Sequence, residues 1–236
     1  MTSDPWDIGE LKRQLTQEEM RRGGFAWSRY IPHTPTPPQK SFLSLDCKEA
    51  FYGGAAGGGK TDALLMAGLQ YVDVPGYAGI LFRKTYKDLS LPGCLIPRSH
   101  EWLGKTDARW VDTTKTWHFP KGSTLSFGHL ETVLDHFNYQ GSEFQFIGFD
   151  ELPQHTESKY RYLFSRLRAK REIPVPLRMR GTGNPGGVGH AWVKRRFVNP
   201  KTRHLGTVFV PAKVHDNPHI NIDEYINSLH YLDEVT

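Results

Sequence analysis

The sequence predicts an α/β domain in which helices flank a central, mostly parallel β-sheet. Strand candidates lie at 49–53, 78–83, 145–150 and 177–182. Two of them contain apolar runs, Gly79 to Phe82 and Phe146 to Phe149, which are typical of strands covered on both faces. Helix-prone segments are found at 59–71, 157–170, 190–197 and 222–232. This alternation favours parallel strands joined by crossover helices.

Residues 109–128 have a different pattern, in which short strand-like segments are separated by turns. The segments are 109–112, 116–119 and 124–127, and one turn is expected at Lys121-Gly122. We predict an antiparallel meander at the edge of the sheet.

Composition predicts the domain organisation. Residues 8–22 are charged and helix-prone, and residues 32–38 form a rigid proline-rich linker. We therefore divide the chain into an N-terminal helix with its linker (1–38), an α/β core (39–220) and a C-terminal helix (221–236).

The 236 residues carry 30 basic and 25 acidic side chains, a net charge of +5. This excess suggests an anionic partner, although a mild excess is also compatible with a solvated surface. The two cysteines, Cys47 and Cys94, have no metal-type spacing and are typical of a reduced, intracellular protein. We find no long apolar run and no secretory signal, and expect a soluble, cytoplasmic protein.

The most informative motif is Gly54-Ala55-Ala56-Gly57-Gly58-Gly59-Lys60-Thr61. It fits the phosphate-binding pattern G-x-x-x-x-G-K-[ST] at every fixed position. Its glycines allow successive backbone N–H groups to point at phosphate oxygens, and the following helix adds its positive end. Lys60 is expected to reach the β- and γ-phosphates, and the Thr61 hydroxyl to ligate Mg²⁺.

An acidic pair completes this prediction. The apolar run that ends in Phe149 delivers Asp150 and then Glu151 at the edge of the sheet where ligands bind. Asp150 is expected to hold Mg²⁺, and Glu151 to orient and deprotonate the attacking water. An acidic pair at a strand end is common, and it gains its meaning from the phosphate loop.

A third polar segment is Gly181-Thr182-Gly183-Asn184-Pro185-Gly186. It contains G-x-G-x-x-G, but Pro185 stands where a dinucleotide-binding helix would begin, so we reject that interpretation. We expect a strand that ends in a loop where Thr182 and Asn184 sense the γ-phosphate. A plain glycine turn is the alternative.

Two further side-chain types bear on the site. The Gln39 amide is a candidate adenine contact, because it can both donate and accept. The cation that stabilises transition-state charge is expected to be Arg83, which ends a strand; Arg161, Arg166 and Arg168 are weaker candidates. The basic cluster Lys194 to Arg196 is either a DNA contact or a solvated helix surface.

With these elements in place, the chain resembles the large subunit of phage terminases, the DNA-packaging motors. The resemblance covers roughly residues 30–220 and is strongest at Arg83-Lys84-Thr85, Tyr139-Gln140-Gly141 and Thr182-Gly183-Asn184-Pro185. The other matching segments are 36–43, 53–61, 146–151 and 165–168.

The resemblance implies an additional-strand, RecA-like P-loop ATPase fold, in which residues 177–182 separate the Walker A and Walker B strands. It implies ATP and Mg²⁺ as cofactors, adenine contact by Gln39, Mg²⁺ held by Thr61 and Asp150, catalysis by Glu151, and coupling through Thr182 to Asn184. It also implies double-stranded DNA, a portal protein and a small terminase subunit as partners. A homo-oligomeric ring in the host cytoplasm completes the expectation.

The chain departs from the family pattern at two places. Ala55 and Ala56 stand where many terminases carry an arginine, and Tyr139-Gln140-Gly141 offers no cation. Arg83 or Arg166 therefore remains as the completing arginine. Because the chain stops near the expected junction with a nuclease domain, we expect an isolated ATPase domain without DNA cleavage. The alternative is a nucleotide-binding scaffold, or a helicase-like P-loop ATPase, with little turnover.

Overall fold

The computed structural model describes residues 27–54, 57–213, 215 and 217–218. The helices predicted at 8–22 and 222–232, and the loop residues Ala55 and Ala56, lie outside these residues. Within them the chain forms eight strands in one sheet.

The elements follow in chain order. The first half contains α1 (Pro37–Leu43), β1 (Glu49–Gly54), α2 (Lys60–Leu69), β2 (Ala78–Arg83), α3 (Tyr86–Ser90), α4 (Leu95–Leu103), β3 (Arg109–Val111) and β4 (Thr116–His118). The second half contains β5 (Thr124–His129), β6 (Phe146–Phe149), α5 (Glu157–Phe164), β7 (Arg178–Gly183), α6 (His190–Val193) and β8 (Thr207–Ala212). Short 3₁₀ turns lie at Asp112–Thr114, Asp135–Tyr139 and Leu152–Gln154.

The strand order is β3-β4-β5-β2-β6-β7-β1-β8. All neighbours from β5 to β8 are parallel, whereas β3, β4 and β5 pair antiparallel. This confirms the mostly parallel sheet and its antiparallel edge meander. It also confirms the additional strand, because β7 lies between β1, which leads into the phosphate loop, and β6, which leads to Asp150.

Alternation along the central strands divides the core between the two faces of the sheet. On β2, Leu81 packs with the layer that contains α2, whereas Ile80 and Phe82 pack with the layer that contains α5. Successive strand side chains point to opposite faces, so an apolar run such as 80–82 requires cover on both sides. The helices provide that cover.

Helix α2 is the central helix of its layer, and its residues from Ala63 to Leu69 are all buried. Gly59 precedes it with φ 68°, a left-handed conformation that glycine adopts without a steric cost. A Cβ at this position would lie 2.7 Å from the Gln39 amide nitrogen. The glycine thus permits both the turn into the helix and the close approach of α1.

Strand β7 contains two buried arginines, Arg178 and Arg180, which lie towards the end of the sheet opposite its carboxyl edge. Arg180 donates to the carbonyl oxygens of Leu45, Cys47 and Lys48 at 2.9–3.2 Å, which fixes the connection between α1 and β1. Burial lowers the pKa of Arg180 to about 10, so the group is charged at neutral pH. A charged strand interior is unusual and was not predicted from the sequence.

Several element boundaries in the structure differ from the predicted ones. The division between residues 38 and 39 falls inside α1, which begins at Pro37 because proline suits the first turn of a helix. Tyr30 and Ile31 are already buried in the core. The helix predicted over 157–170 ends at Phe164, since Phe144 and Leu167 form a parallel bridge there. The helix predicted at 190–197 is α-helical only to Val193 and continues as a π-helical turn, Lys194–Val198.

Candidate nucleotide-binding site

The phosphate loop, the acidic pair and the end of β7 meet at the carboxyl edge of the sheet. The loop follows β1, Asp150 and Glu151 follow β6, and Thr182 to Asn184 form the end of β7. They border a cavity of about 610 Å³, whose lining includes Gly57, Gly58, Gly59, Lys60, Thr61, Glu151 and Asn184. The predicted Gly54 lies at the end of β1, outside this lining.

Asp150 is the centre of the polar network. Its Oδ1 accepts a hydrogen bond from Thr182 Oγ1 at 2.8 Å and lies 3.5 Å from Thr61 Oγ1. Its Oδ2 is buried without a hydrogen-bond partner among the described residues. Arg83 Nη1 lies 3.4 Å from Oδ2, a distance that permits an ionic contact. The fold thus brings together residues that the sequence placed in three separate motifs.

Glu151 stands at the boundary between this cavity and a neighbouring one of about 380 Å³, which also contains Arg83, Gln154 and Asn184. Its Oε2 accepts from the Asn184 backbone N–H at 3.3 Å. Its backbone is left-handed, with φ 56° and ψ 51°. Such a conformation is uncommon for a residue other than glycine and is often found at functional sites.

The loop after Glu151 packs directly against β7, and glycine makes this possible. A Cβ at Gly183 would lie 2.5 Å from Pro153 Cδ, well inside van der Waals contact. At Gly181 a Cβ would likewise lie 2.5 Å from Leu152 Cδ2, so these two glycines allow close packing between the acidic loop and β7. No helix starts between the end of β7 and His190, which agrees with the rejection of a dinucleotide-binding loop.

Burial and neighbouring charges shift the pKa values of Glu151, Lys60 and Arg83. Burial raises the pKa of Glu151, and the adjacent Asp150 charge adds to this effect. Burial lowers the pKa of Lys60, although the Glu151 and Asp150 charges oppose the shift. Burial also acts to lower the pKa of Arg83, but the charges of Asp150 and Cys94 outweigh it and the net shift is upward. The set suits a carboxylate base beside two cations.

Gln39 has a different position from the predicted one. Its side chain is 3% exposed and does not line the cavity. Its Oε1 accepts from the Thr36 N–H, and its Nε2 donates to the Gly59 carbonyl, both at 2.9 Å. The geometry gives the amide a role in supporting the phosphate loop and does not support the predicted adenine contact.

Of the candidate arginines, only Arg83 reaches the site in the described part of the chain. The backbone of Arg166 pairs with Phe144, just before β6 begins, and so lies towards the opposite edge of the sheet. Arg161 and Arg168 belong to the same segment. The basic cluster is also largely neutralised, because Arg196 pairs with Glu49 at 2.8 Å and Arg195 with Glu157 at 2.5 Å.

The far wall of the cavity was not predicted from the sequence. It is built from His33, Asp62, Gly93, Arg98, Trp102 and Asn217. Asn217 donates to the Gly57 carbonyl at 2.7 Å. These residues come from separate segments, and only Asp62, which adjoins Thr61, has a local signal that could have indicated it.

Comparison with known proteins decides the family. Residues 51–185 match the family model described as "Terminase large subunit, T4likevirus-type, N-terminal". The chain belongs to this terminase family. The match covers more than half of the chain and contains Lys60, Asp150, Glu151 and Thr182.

Solved structures agree on the fold. The large terminase of a thermophilic bacteriophage superposes with a TM-score of 0.64 at 15% identity, over 81% of this chain and 48% of that one. The complex of that terminase with ADP gives a TM-score of 0.60 at 16% identity, over 88% and 47%. The large terminase ATPase domain of Thermus phage P74-26 gives 0.58 at 13% identity, over 86% and 90%. No curated protein matches the chain.

This terminase chain therefore spans about half the length of the thermophilic phage's large terminase and has the fold of a terminase ATPase domain. None of the helices in the described ranges is long and apolar enough to cross a membrane.

Proposed function

We propose that the chain is the ATP-hydrolysing motor domain of a viral terminase large subunit. The observation that carries the proposal is the convergence of Lys60, Thr61 and Glu151 on one cavity at the carboxyl edge of the sheet, with the buried Asp150 carboxylate 3.5 Å from the Thr61 hydroxyl. Phosphate loop, metal carboxylate and adjacent glutamate are the parts that phosphoryl transfer to water requires. Family membership supports the terminase context.

In this proposal Glu151 is the general base. Its carboxylate is half-buried, borders the cavity and is held by the Asn184 N–H at 3.3 Å. It orients a water and accepts its proton as the oxygen attacks the γ-phosphorus; the bond to the β,γ-bridging oxygen breaks and ADP leaves. Lys60 and the loop N–H groups stabilise the negative charge on the phosphates.

Thr61 and Asp150 would hold Mg²⁺. The fit rests on the 3.5 Å separation of Thr61 Oγ1 and Asp150 Oδ1, and on the buried Asp150 Oδ2, which accepts no hydrogen bond from the described residues and has only Arg83 as an ionic neighbour. The described residues contain no cluster of three or more His, Cys, Asp or Glu side chains suited to a metal. This agrees with an ion that takes its remaining ligands from phosphate and water. Bound there, it would neutralise charge on the phosphate oxygens.

Thr182 and Asn184 are proposed as the coupling residues. Thr182 bonds to Asp150, and the Asn184 N–H bonds to Glu151, so the end of β7 contacts both acidic side chains. A change at the γ-phosphate would reach β7 through these bonds. Arg83 is proposed as the cation that acts in cis.

The work of the motor is proposed to be translocation of double-stranded DNA into a procapsid in the host cytoplasm. Its partners would be a portal protein, a small terminase subunit and further copies of the chain in a ring. We assign DNA cleavage to none of these residues; metal-dependent nicking of plasmid DNA by the purified chain would contradict that assignment.

The deciding experiment compares wild type with Glu151→Gln in ATP binding and in Mg²⁺-dependent hydrolysis, across a protein concentration series. We expect the variant to bind ATP and to lose about 10²–10⁴ in rate. Glu172→Gln is the matched control, because Glu172 is exposed. A rate that rises faster than linearly with concentration would indicate assembly. Binding without turnover at any concentration would favour the scaffold alternative.

A further inference from the structure

The cavity has an aromatic wall that lies apart from its catalytic end. Of the described residues that line it, only His33 and Trp102 carry aromatic rings. The two rings meet edge to face, with centroids 5.2 Å apart and planes at 88°. His33 precedes α1 and Trp102 lies near the end of α4, so two separate segments build this wall.

The charges around the wall suit a nucleoside better than a phosphate. Asp62 directly follows Thr61, and its carboxylate lies 3.8 Å from His33 Nε2 and 3.1 Å from Arg98 Nε. Arg98, the cation of this wall, pairs with both Asp62 and Glu101, so it leaves little positive charge there for a phosphate. The Asp62 carboxylate can accept hydrogen bonds from hydroxyl groups such as those of ribose. The phosphate chain is expected at Lys60 and Thr61, and the cavity continues from there past Asp62 to the two rings.

Gln39, the sequence-based candidate for this task, is engaged elsewhere. Both ends of its amide bond to backbone groups, and the side chain is outside the cavity. The base therefore needs another surface. Bases stack on aromatic side chains, because every base presents a π-face.

We propose that Trp102, supported by His33, forms the surface on which the nucleobase of the bound nucleotide stacks, with Asp62 on the ribose side. This inference rests on the proposed function, since it concerns the nucleotide of the same site. In this arrangement the base is recognised by stacking on an aromatic ring and not by hydrogen bonds to the Gln39 amide.

The test compares two ligands that share the phosphate chain, ATP and inorganic tripolyphosphate. Their dissociation constants are measured by calorimetry for wild type, Trp102→Ala, Trp102→Phe and Trp27→Ala. Trp27 is the matched control, because it is 49% exposed and outside the cavity. We expect Trp102→Ala to weaken ATP binding by about five- to 150-fold, from the usual strength of base stacking. Tripolyphosphate binding should not change, and Trp102→Phe should retain most of the ATP affinity.

Other results of this binding experiment would overturn the stacking proposal or the proposed function. Unchanged ATP binding by Trp102→Ala overturns the proposal, as does equal weakening of both ligands by Trp102→Ala and Trp102→Phe. If wild type binds neither ligand, the proposed function itself fails.

A second measurement does not require the Trp102→Ala variant. Energy transfer from tryptophan to a bound N-methylanthraniloyl ATP should fall in Trp102→Phe, and by more than it falls in Trp27→Ala. Equal transfer in wild type and Trp102→Phe would place the base away from this wall and overturn the proposal.

Discussion

Arg83 Nη1 lies 3.4 Å from the buried Oδ2 of Asp150, so the carboxylate proposed to hold Mg²⁺ already has a cationic neighbour. The two side chains are 17% and 2% exposed. Arg83 also donates to Cys94 Sγ at 3.0 Å and to the Asp88 carbonyl at 3.4 Å, which fixes the guanidinium beside the acidic pair. Its position links β2, α3 and α4 to the site.

We predict that Arg83→Ala is destabilising without Mg²⁺ and is partly rescued by it. Removing one partner of a buried ion pair leaves an uncompensated charge and typically costs about 3–5 kcal/mol. Millimolar Mg²⁺ would supply a new counter-charge to Asp150. Melting temperatures with and without Mg²⁺ check this, with the exposed Arg161→Ala as control. An equal Mg²⁺ increment in wild type and Arg83→Ala would contradict the pairing.

The stability difference between wild type and Glu151→Gln should depend on pH. The folded-state pKa of Glu151 is raised by burial and by Asp150, so the native protein binds the proton more tightly than the unfolded chain. Its contribution is present below the unfolded pKa, near 4.5, and is lost as pH rises through the folded pKa. Glu151→Gln should therefore be more stable than wild type at pH 8.

This advantage of Glu151→Gln should shrink as pH falls towards 4.5. Urea unfolding at several pH values measures it, with Glu172→Gln as the reference. A difference between the Glu151 variant and wild type that does not vary with pH would show that the carboxylate titrates normally.

Gln39→Ala should weaken ATP and tripolyphosphate by the same factor. The amide supports Gly59 and Thr36, and its loss leaves buried backbone groups unpaired, at a cost of about 1–3 kcal/mol. Calorimetry with both ligands, and Lys40→Ala on the exposed side of α1 as control, decides the matter. Selective loss of ATP affinity would restore the adenine contact expected from the sequence.

Arg196→Ala should lower the free energy of unfolding by about 3 kcal/mol or more, because Glu49 would remain buried without its ion-pair partner. Glu49 is 6% exposed and also accepts from the Tyr160 hydroxyl at 2.8 Å. The neighbouring Lys194→Ala, on the exposed side of the segment, should change it by less than about 0.5 kcal/mol. Chemical denaturation measures the free energy of unfolding of both variants. Equal losses in Arg196→Ala and Lys194→Ala would mean that the Arg196–Glu49 pair does not stabilise the fold.

The sequence predicted the central strands and the acidic pair well for a physical reason. Strands covered on both faces must be apolar throughout, so 78–83 and 146–149 stand out without any knowledge of their neighbours. The phosphate loop is equally local, because its chemistry is carried by consecutive residues. The order of the sheet, with β7 between β1 and β6, came from the family resemblance.

Other features depend on tertiary contacts that no local pattern contains. Strand β8 lies at the sheet edge and is only partly buried, so its pattern is weak. Whether Gln39 faces a ligand or the loop depends on its distance to Gly59. The pairing of Arg196 with Glu49 joins residues 147 positions apart, and composition alone placed Arg196 in a surface cluster.

Glu151 has a left-handed backbone. If all amino acids are substituted at residue 151, we expect the cellular level of each variant and its activity to follow different preferences. Glycine and asparagine tolerate this conformation, whereas valine and isoleucine resist it. Cells should therefore accumulate the glycine and asparagine variants at or above the level of the parent, although neither supplies the carboxylate proposed as the general base. If Glu151 has the proposed role, selection for hydrolysis retains glutamate at a position whose backbone conformation favours glycine or asparagine.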